Sequence, residues 1–323
     1  MVKIDLITGF LGSGKTTFIK RYAEYLMEKG LRIGILENDF GAVNVDMLLL
    51  QQLEGEQCGL EMISGGCDRE THRRRFRTKL IAMGMSGYDR VLVEPSGIYE
   101  VDEFFDVLMD EPLDEWYEIG NVIAIVDAGL QSNLSKEAEY LLASEVADAG
   151  AVVLSHADEA TPDKIQDIIQ HLNRALESIQ CKRKLQNEIL QKSTPQLSKE
   201  DFDRLFASGY VTESYQKMDL QENKDFSSLY FMNLEITKER LLHVVSRIMD
   251  CPECGNVFRI KGFLKDLDGK WLQLNATQEK TELEPIKTGQ EVLIIIGEKL
   301  NEEKLNELIC EQEPKEQQPS CIS

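Results

Sequence analysis

The chain has 323 residues, 42% hydrophobic and 29% charged, a balance expected of a folded globular protein long enough for two cores. Its 57 acidic residues outnumber 36 basic ones, and the formal charge of −21 argues against binding to nucleic-acid backbone or anionic membrane. Seven cysteines, an odd number spread along the chain, do not read as a disulfide framework. No apolar run is long enough to span a bilayer. Met1 leads directly into the strand-like "VKIDLITGF" with no basic leader, so a cytoplasmic location is expected.

From the first residues onward, short apolar runs alternate with helical patterns. "KIDLITG" precedes a helix expected from about Lys15 to Lys29; "RIGILEND", "RVLVEPSG", "NVIAIVDA" and "AVVLSHAD" follow. Runs this uniformly apolar are expected of strands buried on both faces of a parallel sheet. After "SHAD", Thr161 is a helix cap, Pro162 suits the first turn, and Ile165, Ile168, Ile169, Leu172 and Leu176 make one apolar face. Residues from Cys181 to Phe226 are polar and read as a connector, with a helix at "SKEDFDRLFASG". A second pattern then runs through "SSLYFMNLEI", the helix "KERLLHVVSRIM", the strands "NVFRIKGFLK", "KWLQLNAT" and "EVLIIIGE", and the helix "NEEKLNELI". The expected fold is therefore α/β: a doubly wound, mainly parallel P-loop NTPase sheet over 1–180, a connector over 181–226, and a smaller α+β domain over 227–311. The polar residues 312–323 are expected to be a disordered tail.

"GFLGSGKTT", Gly9 to Thr17, satisfies the phosphate-loop pattern between a strand and an amphipathic helix. Its glycines let successive amides point at phosphate oxygens, and the helix dipole adds positive potential. Gly12, Ser13, Gly14, Lys15, Thr16 and Thr17 are the expected phosphate contacts, with Lys15 reaching the terminal phosphates and the Thr16 hydroxyl holding Mg²⁺. Glu94, in "VLVEPSG", ends a buried strand where a carboxylate can organise Mg²⁺ or the attacking water. "LENDFGAVNVD" sets Asn38, Asp39 and Asp46 where a nucleotide-sensing loop is expected, and Asp39 joins Thr16 and Glu94 as a Mg²⁺ ligand candidate. In "LSHAD", Ser155, His156 and Asp158 fall where the base is read. The Asp158 carboxylate can accept the N1 and N2 hydrogens of guanine, which adenine does not offer. The phosphate loop alone is compatible with a GTPase, an ATPase or a small-molecule kinase.

With these segments in this order, the chain resembles the CobW family of P-loop GTPases, relatives of the urease and hydrogenase nickel-insertion GTPases. "NDFGAVNVD" is similar to the family's N-E-F-G segment with Asp39 in place of Glu, and "EPSG" to its E-x-S-G motif. "FRIKGFL", "DGKWLQLNAT" and "VLIIIGEKLNEEKLNEL" look like its small C-terminal domain. The resemblance implies GTP and Mg²⁺ binding and slow hydrolysis. It also implies delivery of a metal such as Zn²⁺ or Co²⁺, or of a cobalamin-related cofactor, to a client metalloenzyme or corrinoid-related protein.

Two segments depart from the family pattern. Its guanine motif N-K-x-D reads Ser155-His156-Ala157-Asp158 here, so a histidine ring stands where a lysine stem covers the base. Its G-C-x-C-C thiolate cluster keeps only Cys67, with Arg69 and Glu70 in the other cysteine positions. Glu37, Asp39 and Glu70 are oxygen ligand candidates beside Cys67, a donor set less selective for zinc.

Beyond Cys67, the run Arg69, Arg73, Arg74, Arg75, Arg77 and Lys79 belongs to a helix whose apolar side is His72, Phe76, Leu80 and Met83. It reads as a solvated face paired with the protein's own carboxylates, as a dock for an acidic partner, or as an arginine supplied across a homodimer. Cys251 and Cys254 form a C-x-x-C pair without a second pair to complete a zinc site, and His243 is expected on a helix surface. Phe263 and Trp271 are expected in the core of the small domain. Two further functions stay open. One is a P-loop kinase with the arginine helix as its lid; the other is a nucleotide-gated binding protein with little turnover.

Overall fold

A computed structural model describes residues 1–10, 12–39, 49–64, 69–95, 101–132, 134–218, 226–232, 234, 236–266, 268–278, 280–286, 289 and 291–310. They form two compact units, Met1–Gln221 and Glu222–Ser323. No helix among the described residues is long and apolar enough to cross a membrane.

The first unit is built on a seven-stranded sheet of β1 (Val2–Thr8), β2 (Ile33–Asp39), β3 (Cys58–Ser64), β4 (Arg90–Pro95), β5 (Tyr117–Asp127), β6 (Ala151–Ser155) and β7 (Ile189–Leu190). Their order is β3-β2-β4-β1-β5-β6-β7. Every neighbouring pair is parallel. Because all strands run the same way, their carboxyl ends share one edge. The chain leaves β1 toward β2 on one side and later returns to β5 on the other, which opens the crevice where such sheets bind ligands.

Helices cover both faces. On one face lie α1 (Lys15–Glu28) and α7 (Lys199–Phe206). On the other lie α2 (Arg69–Gly84), α3 (Val101–Leu108), α4 (Leu113–Trp116), α5 (Lys136–Ala147) and α6 (Pro162–Ser178). As expected, the Thr161 side chain caps α6, accepting from Lys164 N at 3.3 Å.

The span 181–226, read from sequence as a connector, holds two elements that belong to the first unit. β7 pairs with β6. Helix α7 starts from a Ser198–Asp201 capping box and buries Phe202 and Leu205. The Phe202 ring stacks on Tyr25 at 5.3 Å and on Tyr22 at 6.2 Å. Asn121 of β5 then holds the chain after α7, donating to Phe206 O at 3.2 Å and accepting from Gly209 N at 2.9 Å. The helix is expected from sequence, but its apolar positions become core only against α1, and the two-residue β7 is too short to stand out.

The second unit is an antiparallel sheet of β8 (Phe226–Met232), β9 (Asn256–Lys265), β10 (Trp271–Ala276), β11 (Thr281–Ile286) and β12 (Val292–Glu298), in the order β11-β10-β9-β12-β8. Helices α8 (Lys238–Met249) and α9 (Glu302–Cys310) bury Leu241, Val245, Ile248, Leu305 and Leu308 in one cluster with Ile260, Leu274 and Ile295. Phe263 is buried as expected, whereas Trp271 is half-buried, with Lys265 Nζ 5.0 Å from its ring centre. The edge strand β11, missed in sequence, reads polar and contains Pro285, as an edge position tolerates.

Candidate functional site

The phosphate loop sits at the carboxyl end of β1. Gly9 (φ 147), Gly12 (φ 81) and Gly14 (φ 92) take positive backbone angles that other residues adopt only with strain. At Gly9 the need is also spatial: a Cβ there would lie 2.2 Å from Ile125 O and 2.7 Å from Ser13 Oγ. Gly14 opens α1, and its carbonyl accepts Phe18 N at 3.0 Å. No acidic side chain occupies the first turn of α1, so its amino end keeps its positive potential for an anion. Ser13, Lys15 and Thr16 are buried in the loop, and Thr17 is exposed. Lys15 folds back, Nζ donating to Gly9 O at 2.7 Å.

Thr16 and Glu94, 78 residues apart in sequence, meet across this loop: Thr16 Oγ1 donates to Glu94 Oε1 at 2.8 Å. Both are buried, at 7% and 5% exposure. Glu37 of β2, 3% exposed, lies directly opposite Glu94 in the β2–β4 register. A hydroxyl and a carboxylate held together beside a lysine are hard oxygen donors of the kind that suits Mg²⁺ with nucleotide phosphates.

The metal-site expectations centre elsewhere. Cys67 and Asp46 lie outside the described residues, as do the Asp39 side chain and residues 312–323. Among the described residues, no group of three or more His, Cys, Asp or Glu side chains is arranged to hold a metal ion.

The segment expected to read the base abuts the phosphate loop: a Cβ on Gly14 would sit 3.6 Å from Ser155 Cβ. Ser155 is buried at the end of β6, and His156 turns the chain with φ 53. His156 Nδ1 lies 3.2 Å from Asp127 Oδ2. Asp158 accepts a hydrogen bond from the Ser193 hydroxyl. Sequence reasoning missed Ser193, which follows β7. The Lys192-Ser193-Thr194 stretch carries no signal until β7 is seen to pair with β6. Arg21 of α1 fixes the same loop, donating to Pro195 O at 3.1 Å and Leu197 O at 3.3 Å.

Sequence reasoning also missed Glu145 of α5. It is 1% exposed, and neither carboxylate oxygen has a hydrogen-bond partner among the described residues. Burial pushes its pKa up to about 8, against the opposing pull of the Lys15 ammonium.

Helix α2 has the expected faces. His72, Phe76, Leu80 and Met83 are buried, and burial together with Arg75 pushes the His72 pKa down to about 4. Arg73 meets Asp110 at 3.2 Å, Lys79 meets Glu61 at 2.5 Å, and Arg77 donates to Glu111 O, while Arg74 is exposed. Cys254 is fully buried, with its thiol pushed up to about 12 by burial and by Cys251, and His243 is exposed. That pair presents a poor thiolate donor.

Residues 3–186 match the family model described as CobW/HypB/UreG, nucleotide-binding domain. The chain is 29% identical over 167 residues to the zinc chaperone YeiR of Escherichia coli K12, covering 51% of this chain and 50% of that one. It is 26% identical over 181 residues to the zinc chaperone YjiA of the same organism, covering 53% of this chain and 55% of that one. The matched region thus spans about half the length of these relatives. A crystal structure of Zn(II)-bound YjiA GTPase aligns over 96% of this chain and 98% of that one, at 20% identity and a TM-score of 0.37.

Proposed function

The chain belongs to the CobW/HypB/UreG family, and from that premise we propose that it is a Mg²⁺-dependent GTP-binding protein with slow GTP hydrolysis, switching the delivery of a metal or metallocofactor to a client protein. The observation that carries the reading is the Thr16–Glu94 hydrogen bond of 2.8 Å, which joins the phosphate loop to the end of β4. Lys15 and the loop amides stabilise charge on the phosphoryl oxygens. The Thr16 hydroxyl and the Glu94 and Asp39 carboxylates would hold Mg²⁺, which would neutralise phosphate charge, and Glu94 would orient the attacking water. Asp158 selects guanine, supported by Ser193. Slow turnover follows from the lack, among the described residues, of an evident arginine supplied to the phosphates in cis; of the α2 arginines, Arg73 meets Asp110 and Arg77 the Glu111 carbonyl.

The delivered metal is cargo, and two relatives named zinc chaperones favour Zn²⁺ over Co²⁺. Cys67 and Glu37 are its ligand candidates here. With one thiolate in place of three, the site binds more weakly than a full cluster. The test is a titration of GTP against ATP, with and without Zn²⁺, Co²⁺ and Ni²⁺, followed by phosphate release. Tighter GTP binding, slow phosphate release and a metal-dependent change in turnover are expected. ATP binding as tight as GTP would refute the role of Asp158. Transfer of phosphate to an acceptor would make the protein a kinase, and GTP binding without phosphate release would make it a nucleotide-gated binding protein.

A further inference from the structure

His156 occupies the position where the family pattern carries a lysine, and the structure gives it a partner that a lysine stem would not need. Asp127 ends β5 and pairs in register with Ser155, the last residue of β6. Its Oδ1 accepts Gly129 N at 2.7 Å, which fixes the plane of the carboxylate, and its Oδ2 lies 3.2 Å from His156 Nδ1. An ionised carboxylate only accepts hydrogen bonds. A proton on Nδ1 would face this carboxylate whether the ring is neutral or charged, and Nδ1 also lies 3.5 Å from the Ser155 hydroxyl. The side chain of Asp127 is recessed at 22% exposure, while that of His156 stands out at 41%. His156 takes a left-handed backbone, φ 53, a conformation that side chains adopt only with strain. Ser155, which abuts the phosphate loop at Gly14, and Asp158, bonded to Ser193, stand on either side of it in sequence.

We propose that Asp127 is a positioning residue for nucleotide binding: it holds the His156 ring by Nδ1 so that the ring face forms the platform on which the purine stacks. A long lysine stem covers a base by its own length. A short imidazole covers it only if its two torsions are fixed, and Asp127 fixes them. The inference rests on the nucleotide-binding reading above, but it does not require that the base be guanine, because any purine offers a face to stack.

The test uses the full chain with Mg²⁺ and compares binding of GTP, ATP and inorganic triphosphate. The variants are Asp127→Asn, Asp127→Ala, His156→Ala and the double alanine. Asp127→Asn keeps an oxygen for the Gly129 amide, so it preserves the turn if alanine disturbs folding. Each single alanine is expected to weaken GTP binding about tenfold and to leave inorganic triphosphate unchanged. The double variant should lose no more than either single one, and His156→Lys should make Asp127→Asn silent. Additive losses, equal losses for GTP and triphosphate, or no loss would overturn the proposal. If wild type binds GTP and ATP equally and both lose binding together in Asp127→Ala, the platform stands and only the guanine reading falls. If wild type binds GTP no more tightly than triphosphate, both fall.

Discussion

Thr16 Oγ1 and Glu94 Oε1 are 2.8 Å apart, although 78 residues separate them in the chain. The contact sets the Thr16 hydroxyl at the start of α1 against the Glu94 carboxylate near the end of β4. Replacing Glu94 with Gln keeps the shape and removes the charge. Phosphate release at saturating GTP should fall by about 100-fold or more, with a higher Mg²⁺ requirement and little change in melting temperature. Thr16→Ala should raise the Mg²⁺ requirement further. Turnover unaffected by Glu94→Gln would remove Glu94 from the reaction.

Glu145 predicts an unusual pH dependence of stability. Burial raises its pKa from the ordinary 4.5 to about 8 in the folded chain, so between these values the fold binds a proton that the unfolded chain has released. The contribution is fully present below pH 4.5 and lost as pH rises through about 8. Glu145→Gln removes the titration, so its melting temperature relative to wild type should climb across this interval, by an amount equivalent to a few kcal/mol. Parallel melting curves for the two proteins from pH 5 to 8.5 would contradict the assignment.

Ser193 is expected to support Asp158 without touching the phosphates. Ser193→Ala leaves the Asp158 carboxylate without its hydroxyl donor. GTP binding should weaken by about tenfold, while inorganic triphosphate binding and Mg²⁺ dependence stay the same. Equal weakening of both ligands would make Ser193 a structural residue of the loop.

Helix α7 should prove part of the nucleotide-binding unit rather than a tether. Phe202 is 3% exposed and stacks on Tyr22 and Tyr25. Phe202→Ala should cost about 3–5 kcal/mol in denaturant unfolding. A chain ended at residue 180 lacks both α7 and β7 and should fail to fold into a cooperative unit. A truncated chain that melted like the whole one would refute this.

The amino-acid sequence by itself determined the local chemistry. Uniform apolar runs marked β1, β2, β4, β5 and β6, because strands buried on both faces admit little else. The glycines of "GFLGSGKTT" marked the phosphate loop, because the turn needs left-handed backbone and close approach. Lys15, Thr16, Glu94 and Asp158 stood out as candidates for a related reason, each lying at or just beyond the end of a readable strand. Tertiary structure alone decided what depends on residues distant in sequence. The polar stretch after Cys181 hid β7, and although a helix was legible at α7, its place in the first unit was not, since Phe202 and Leu205 become core only against α1. Ser193 gains a role only when β7 aligns with β6 and brings its loop to Asp158. Asp127 reads as an ordinary strand end until the β5–β6 register sets it beside His156. Glu145 looks like one more acidic helix residue until packing removes water from both its oxygens. A sequence carries short-range pattern directly. The pairing of strands and the loss of solvent around a charge are properties of the assembled fold.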